Sequence, residues 1–205
     1  DEPSLSYNYY PRFAFKQPFV AEVPNITVAG PYASAFTEDG KLLLDPHNSF
    51  TPGAGWRTGG AVKTAISDAP LTVGTALIRG RAPEPTRTVP SAALVHDYWG
   101  NFYHWMLEEL LKLRGIQQYE QTTGRDVPII IPSDPKPCIT ESLRLLGYDE
   151  DNYIEWDGEP LGVERLVVPS FPDPTPRAIE WLRNEITSGL ELSDKASPDW
   201  VYVSR

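Results

Sequence analysis

Residues 91–113, "SAALVHDYWGNFYHWMLEELLKL", change their hydrophobic period halfway along, and this change indicates how the chain folds. The first part, "SAALVHD" (91–97), is a short apolar run that predicts a buried strand. Residues 101–121 instead carry apolar side chains at helical spacing, which fall on one arc: Phe102, Tyr103, Met106, Leu107, Leu110 and Leu113. The stretch therefore predicts a strand that leads directly into a helix, the repeating unit of α/β proteins.

Predicted strands and helices continue to alternate through the rest of residues 91–205. Strands are predicted at "DVPIIIP" (126–132), "NYIEW" (152–156), "ERLVVPS" (164–170) and "DWVYVSR" (199–205). Helices are predicted at "PCITESLRLLGY" (137–148), ending at Gly147, and at 173–190, with Thr175 as N-cap and Pro176 at the first helical position. We expect residues 91–205 to form a Rossmann-like α/β domain, a mostly parallel sheet covered on both faces.

Residues 1–90 lack a helical period and predict a β-rich N-terminal subdomain. "NITVAGPYASAFTEDGKLLLD" (25–45) predicts two strands around a turn at residues 38–40, where Asp-Gly is a good hairpin signal. Further strands are predicted within residues 61–68 and 71–80. Residues 80–90 are rich in proline and predict a connector between the two parts.

Composition excludes several classes of protein. With 28 acidic and 18 basic residues among 205, the net charge of −10 repels a phosphate backbone, so no nucleic-acid partner is expected. The single cysteine, Cys138, permits neither an intramolecular disulfide nor a cysteine-based zinc cluster, which fits a reducing compartment. No apolar run approaches the ~20 residues of a membrane span. We expect a cytoplasmic protein, with peripheral association with a membrane left open.

Polar side chains cluster where the first strand meets the helix. His96 and Asp97 end the strand, and Asn101, His104 and Glu108 follow at i, i+3 and i+7, on an arc roughly opposite the apolar stripe. His104 and Glu108 lie four residues apart and can touch. A carboxylate beside an imidazole raises its basicity and fixes its tautomer, as a general base requires. The spacing alone favours a simpler interpretation, in which these three residues form the solvated face of a helix.

The neighbouring aromatic residues have less specific roles. Phe102 and Tyr103 lie on the apolar arc and are expected in the core. Trp99 and Trp105 flank that arc, where each could stack on a sugar ring or pack in the core or at its rim. The acidic residues 149–151 contain an Asp-x-Asp pattern, which we interpret as a charged turn; no metal site is expected.

The segment "GNFYHWMLEELLKL" (100–113) resembles the Gly-Asn-Tyr/Phe-Tyr/Phe-His-Trp motif of the family 61 glycosyltransferases, the capsular-polysaccharide-biosynthesis type. The segments "GPYASAFTEDGKLLLD", "VPIIIPSD", "ESLRLLGY", "ERLVVPS" and "WVYVSR" resemble others of that family in order and spacing, so the resemblance covers about residues 20–205. It implies inverting transfer of a sugar from a nucleotide-sugar donor to a hydroxyl acceptor. It also implies a GT-B-like pair of Rossmann-type domains, of which these residues resemble the N-terminal, acceptor-side half.

By this resemblance, Asn101 and His104 match the motif, and Glu108 matches a commonly acidic position. The resemblance therefore implies that His104 is the base or orients the acceptor, and that Glu108 tunes it. Arg205 matches the arginine of a Tyr-x-Ser-Arg strand, on the side of the donor phosphates. The predicted catalytic residues are His104 and Glu108, and the predicted substrate-binding residues are Asn101, Asp97, His96, Trp99 and Arg205.

The family continues past the position of Arg205 into a second Rossmann-like half, which would supply most nucleotide contacts, so the resemblance leaves open whether residues 1–205 alone catalyse transfer. Two alternatives stay open. One is a non-catalytic carbohydrate-binding or assembly module with the same fold. The other is a hydrolase that uses His96, Asp97 and His104. No cofactor is expected beyond the nucleotide-sugar substrate.

Overall fold

The computed structural model describes residues 18–43, 83–96, 101–172 and 174–190, which form a mixed seven-stranded sheet and its helices. The strands are β1 (Val20–Ala29), β2 (Ser34–Thr37), β3 (Arg87–Val89), β4 (Ala92–Leu94), β5 (Ile129–Pro132), β6 (Tyr153–Trp156) and β7 (Leu161–Pro169). Their order is β2-β1-β7-β4-β5-β6, with β3 paired to β7. Four of the six strand pairs are parallel, which confirms an α/β protein with a mostly parallel sheet.

The helices follow the strands as the sequence predicts. Helix α1 is continuous but has three parts: an α-helical turn (Phe102–His104), a π-helical segment (Trp105–Glu109) and an α-helical body (Leu110–Thr123). Helices α2 (Pro137–Leu145) and α3 (Pro176–Ser188) come after β5 and β7, and a 3₁₀ turn (Glu150–Asn152) precedes β6. At the start of α3, the Thr175 hydroxyl accepts a hydrogen bond from the Ala178 N–H at 3.2 Å, so the predicted N-cap is confirmed.

The predicted layout of the N-terminal strands needs correction. β1 and β2 form an antiparallel pair joined by a turn at residues 30–33, whereas the turn at residues 38–40 leads only to an isolated bridge between Phe36 and Leu42. Part of the predicted proline-rich connector is strand β3, which runs parallel to the start of β7. The strands predicted within 61–80 and at 199–205 lie outside the described residues. The domain boundary at residue 90 stays a prediction, although described strands on both sides of it share one sheet.

All three described helices lie on one face of the sheet, rather than on both as predicted. Their buried residues, among them Leu113, Leu143 and Leu182, form a single cluster with Ile129 and Val167 of the sheet. The strand residues that point the other way pack together in a second cluster.

The sheet itself contributes to the burial of that second face. β2 and β6 are at opposite ends of the strand order, yet Ala35 and Trp156 belong to the same buried cluster. The Gly30 N–H also donates to the Gly158 carbonyl at 2.8 Å, joining the β1–β2 turn to the loop after β6. The sheet is therefore strongly curled, and its first strands reach the face opposite the helices.

The C-terminal end of α3 packs tightly against the end of α2. A Cβ atom at Gly189 would overlap the Leu145 carbonyl oxygen, which is backbone and cannot rotate away. We therefore expect Gly189→Ala to destabilise the fold by about 1–3 kcal/mol, a typical cost of overpacking. Urea unfolding would measure it, with Ser188→Ala as the neighbouring exposed control. Equal stability of the two variants would contradict this packing.

Glu120, near the end of α1, makes stability dependent on pH. Burial raises the pKa of its carboxyl group, opposed by a hydrogen bond from the Val127 N–H, while the Asp126 charge raises it further. A raised folded-state pKa stabilises the fold below the unfolded value, and this contribution is lost as pH rises through the folded value. Glu120→Gln keeps an acceptor for Val127, so its stability relative to wild type should increase between pH 4 and pH 7. Urea unfolding at both pH values checks this, and a difference that does not change with pH would contradict it.

Candidate functional site

The candidate site lies past the carboxyl end of β4, where helix α1 begins. β4 is flanked by β5 and β7 in parallel pairs, so three strands end at the same edge of the sheet, where ligands bind in open α/β sheets. Asn101 is the N-cap of α1, since its side-chain oxygen accepts a hydrogen bond from the Tyr103 N–H at 2.9 Å. This capping bond gives Asn101 a structural role at the start of the helix. Three other predicted site residues, Asp97, Trp99 and Arg205, lie outside the described part of the chain.

His104 and Glu108 make the contact that their spacing predicts. The Nδ1 atom of His104 lies 2.8 Å from Oε2 of Glu108, and the two side chains are 22% and 18% exposed. A carboxylate at Nδ1 favours the proton on that nitrogen in the neutral ring. The basic lone pair is then on Nε2, which is the arrangement of a general base that takes a proton from a hydroxyl.

The π-helical segment changes which side chains of α1 face the core. The Leu110 N–H bonds to the Trp105 carbonyl, five residues back, so this turn holds one residue more than an α-helical turn. Counting 3.6 residues per turn across this segment therefore assigns the residues of the first helical turn to the wrong face of the helix. Phe102 and Tyr103 are 63% and 57% exposed, so the prediction that they belong to the core is wrong.

Trp105 takes the core position instead. Its indole is buried, and its Nε1–H donates to the Ser142 hydroxyl on α2 at 2.8 Å. Of the two roles considered for this residue, packing is therefore the one the structure shows. Stacking on a ligand would need an accessible ring face, and the buried indole offers none.

Glu109 and Lys112 are the residues near the site that the sequence analysis missed. Glu109 is 1% exposed and Lys112 is 2% exposed. Oε2 of Glu109 lies 3.3 Å from Nδ1 of His96, so this histidine pairs with helix α1. The Lys112 ammonium donates to the Val95 carbonyl at 2.9 Å and lies 5.5 Å from the centre of the Phe171 ring. The sequence did contain a signal for this buried pair of charges, since Glu109 and Lys112 lie three residues apart within the largely apolar segment "EELLKL".

Features elsewhere in the described residues have simpler explanations. The Asp149 side chain accepts a hydrogen bond from the Asp151 N–H at the start of the 3₁₀ turn, so it caps that turn. Within the described ranges, no group of three His, Cys, Asp or Glu side chains is arranged to hold a metal ion. A cleft of about 730 Å³ lies near the start of β7, lined by Asn25, Glu38 and Glu164 among others, and does not include the histidines.

None of the helices in the described ranges is long and apolar enough to cross a membrane. Compared with known proteins, the chain matches no family model, no curated protein and no solved structure. The case for a function therefore depends on the geometry of the site and on the motif resemblance.

Proposed function

We propose that the protein is an inverting glycosyltransferase that transfers a sugar from a nucleotide-sugar donor to a hydroxyl acceptor. The observation that carries the proposal is the His104–Glu108 pair, with its 2.8 Å contact and partly exposed imidazole at the carboxyl edge of the sheet. The motif resemblance supplies the class of reaction, and the pair supplies the base that this reaction needs. Further support comes from the mostly parallel sheet of an α/β protein, past the edge of which the helix with this pair begins.

In this reaction His104 acts at Nε2. The acceptor O–H proton passes to Nε2, while the acceptor oxygen forms a bond to the anomeric carbon from the side opposite the leaving group. The bond from that carbon to the nucleotide diphosphate breaks, and its electron pair leaves with the diphosphate, which inverts the configuration. Glu108 stabilises the imidazolium that forms, because its carboxylate lies against Nδ1. The resemblance implies that Arg205 contacts the donor phosphates, which in that family are also bound by a second Rossmann-like half.

A donor and acceptor screen tests this proposal. The intact protein is incubated with UDP-sugars and other nucleotide sugars in the presence and absence of sugar acceptors, and the released nucleotide diphosphate is measured. We expect one donor to give release that depends on an acceptor, with a product of inverted anomeric configuration by NMR. Release that needs no acceptor, or a product of retained configuration, would contradict the proposal.

The alternative of a non-catalytic carbohydrate-binding module is supported by one observation. Phe102 and Tyr103 expose most of their rings next to His104, and the Tyr103 and His104 rings meet edge to face at 5.3 Å. Exposed aromatic faces suit the apolar face of a sugar ring. Glycan binding that is lost in Phe102→Ser, without acceptor-dependent release from any donor, would favour the module. Transfer activity would favour the enzyme.

A further inference from the structure

The π-helical segment ends in two consecutive glutamates that face histidines on different elements. Glu108 lies against His104 of the same helix, and Glu109 lies against His96 at the end of β4. The first pair is partly exposed, whereas the second is buried. Within one turn of α1, Glu108 therefore contacts the proposed general base, His104, and the next residue, Glu109, contacts the end of β4.

A second contact joins the same two elements. Lys112, one helical turn after Glu109, donates to the carbonyl of Val95, the residue before His96. Two consecutive residues after β4 are thus bonded to two successive turns of α1. Such paired contacts restrict both the rotation of a helix about its axis and its sliding along the sheet.

The cost of these buried groups indicates that they do more than stabilise the fold. Removing a carboxylate and an ammonium from water costs several kcal/mol per ion, and well-packed apolar side chains are often equally or more stabilising in such positions. Glu109 and Lys112 are both almost completely buried. Buried hydrogen bonds and ion pairs are directional, so they can fix one position of a helix against its sheet, whereas apolar packing is less specific.

We propose that Glu109, His96 and Lys112 are positioning residues that hold the π-helical turn so that Glu108 meets Nδ1 of His104. Their importance for catalysis rests on the proposed function, but the arrangement of the imidazole does not. His96 acts through Glu109 and not on substrate, since it is 9% exposed. π-Helical turns inside α-helices are frequent at functional sites, which agrees with this assignment.

The experiment is ¹⁵N NMR of the histidine rings at a pH where the imidazoles are neutral, in the intact protein. His104→Gln assigns the His104 signals. In the wild type we expect His104 to carry its proton mainly on Nδ1. In Glu109→Met and in Lys112→Met, the ratio of the Nδ1–H to the Nε2–H form should fall several-fold, because Glu108 is no longer held in place.

The two variants separate positioning from simple charge. Glu109→Met removes a negative charge and Lys112→Met removes a positive one, so a purely electrostatic effect would move the ratio in opposite directions. Opposite shifts, or an unchanged ratio in a folded Glu109→Met protein, would overturn the inference. Glu141→Gln, an exposed position on α2, is the control for loss of one negative charge.

A further variant keeps the test decisive if Glu109→Met does not fold. His96→Leu breaks the same contact from the strand side without altering α1, and it should lower the ratio equally. An unchanged ratio in folded His96→Leu would then overturn the inference. Since the NMR measurement needs no sugar transfer, a failed donor screen would count against the proposed function alone.

Discussion

His104→Ala is expected to lower kcat for sugar transfer by about 10²- to 10⁴-fold, the usual contribution of a positioned general base. The substitution removes the imidazole that Glu108 holds at 2.8 Å, so nothing in that position takes the acceptor proton. The side chain is only partly buried and caps no helix, so the fold should remain intact. The measurement is steady-state transfer by the intact protein, with the donor identified by the screen.

Two further variants show whether the loss is specific to the proposed pair. Glu108→Gln should lower kcat less than His104→Ala, since a side-chain oxygen can still accept from Nδ1–H but without the charge that stabilises the imidazolium. Glu141→Gln, which is exposed on α2, should retain wild-type kcat. Thermal unfolding should be similar for all three proteins. A His104→Ala enzyme that keeps its fold and transfers at near-normal rate would refute the role of His104 as the base.

Local signals in the sequence were sufficient to predict many of the strands and helices in residues 91–205. β5 consists of a run of β-branched residues between prolines, and α2 ends at Leu145, just before Gly147, whose φ of 84° suits glycine. Thr175 and Pro176 mark the start of α3 because capping depends on neighbouring residues alone. The contact between His104 and Glu108 was predictable for the same reason, since four-residue spacing brings side chains together within one helix.

Features that depend on distant contacts could not be predicted in this way. The Trp105 indole bonds to Ser142, 37 residues away, and Lys112 bonds to Val95 across the helix–sheet interface. These contacts accompany the π-helical turn, and that turn moves Phe102 out of the predicted core. The curl of the sheet, which brings Gly30 to Gly158, is equally invisible to a local pattern. The buried pair of Glu109 and His96 was missed because charged residues are assumed to be exposed.

Trp105→Ala should lower the free energy of unfolding by about 3–5 kcal/mol, the usual cost of truncating a buried tryptophan. The indole is 2% exposed and lies in the cluster that joins α1 to α2 and the sheet. Alanine leaves a cavity there and removes the hydrogen bond to Ser142. Urea unfolding followed by far-UV circular dichroism measures the change without depending on tryptophan fluorescence.

Ser142→Ala separates the hydrogen bond from the packing. It should cost about 1–3 kcal/mol, because the buried indole N–H loses its acceptor. Trp105→Phe removes the N–H as well as part of the volume, so adding Ser142→Ala to it should cost less than Ser142→Ala alone. Equal costs of Ser142→Ala in both backgrounds would show that the bond contributes nothing. A loss below about 1 kcal/mol in Trp105→Ala would mean that the core does not depend on this indole.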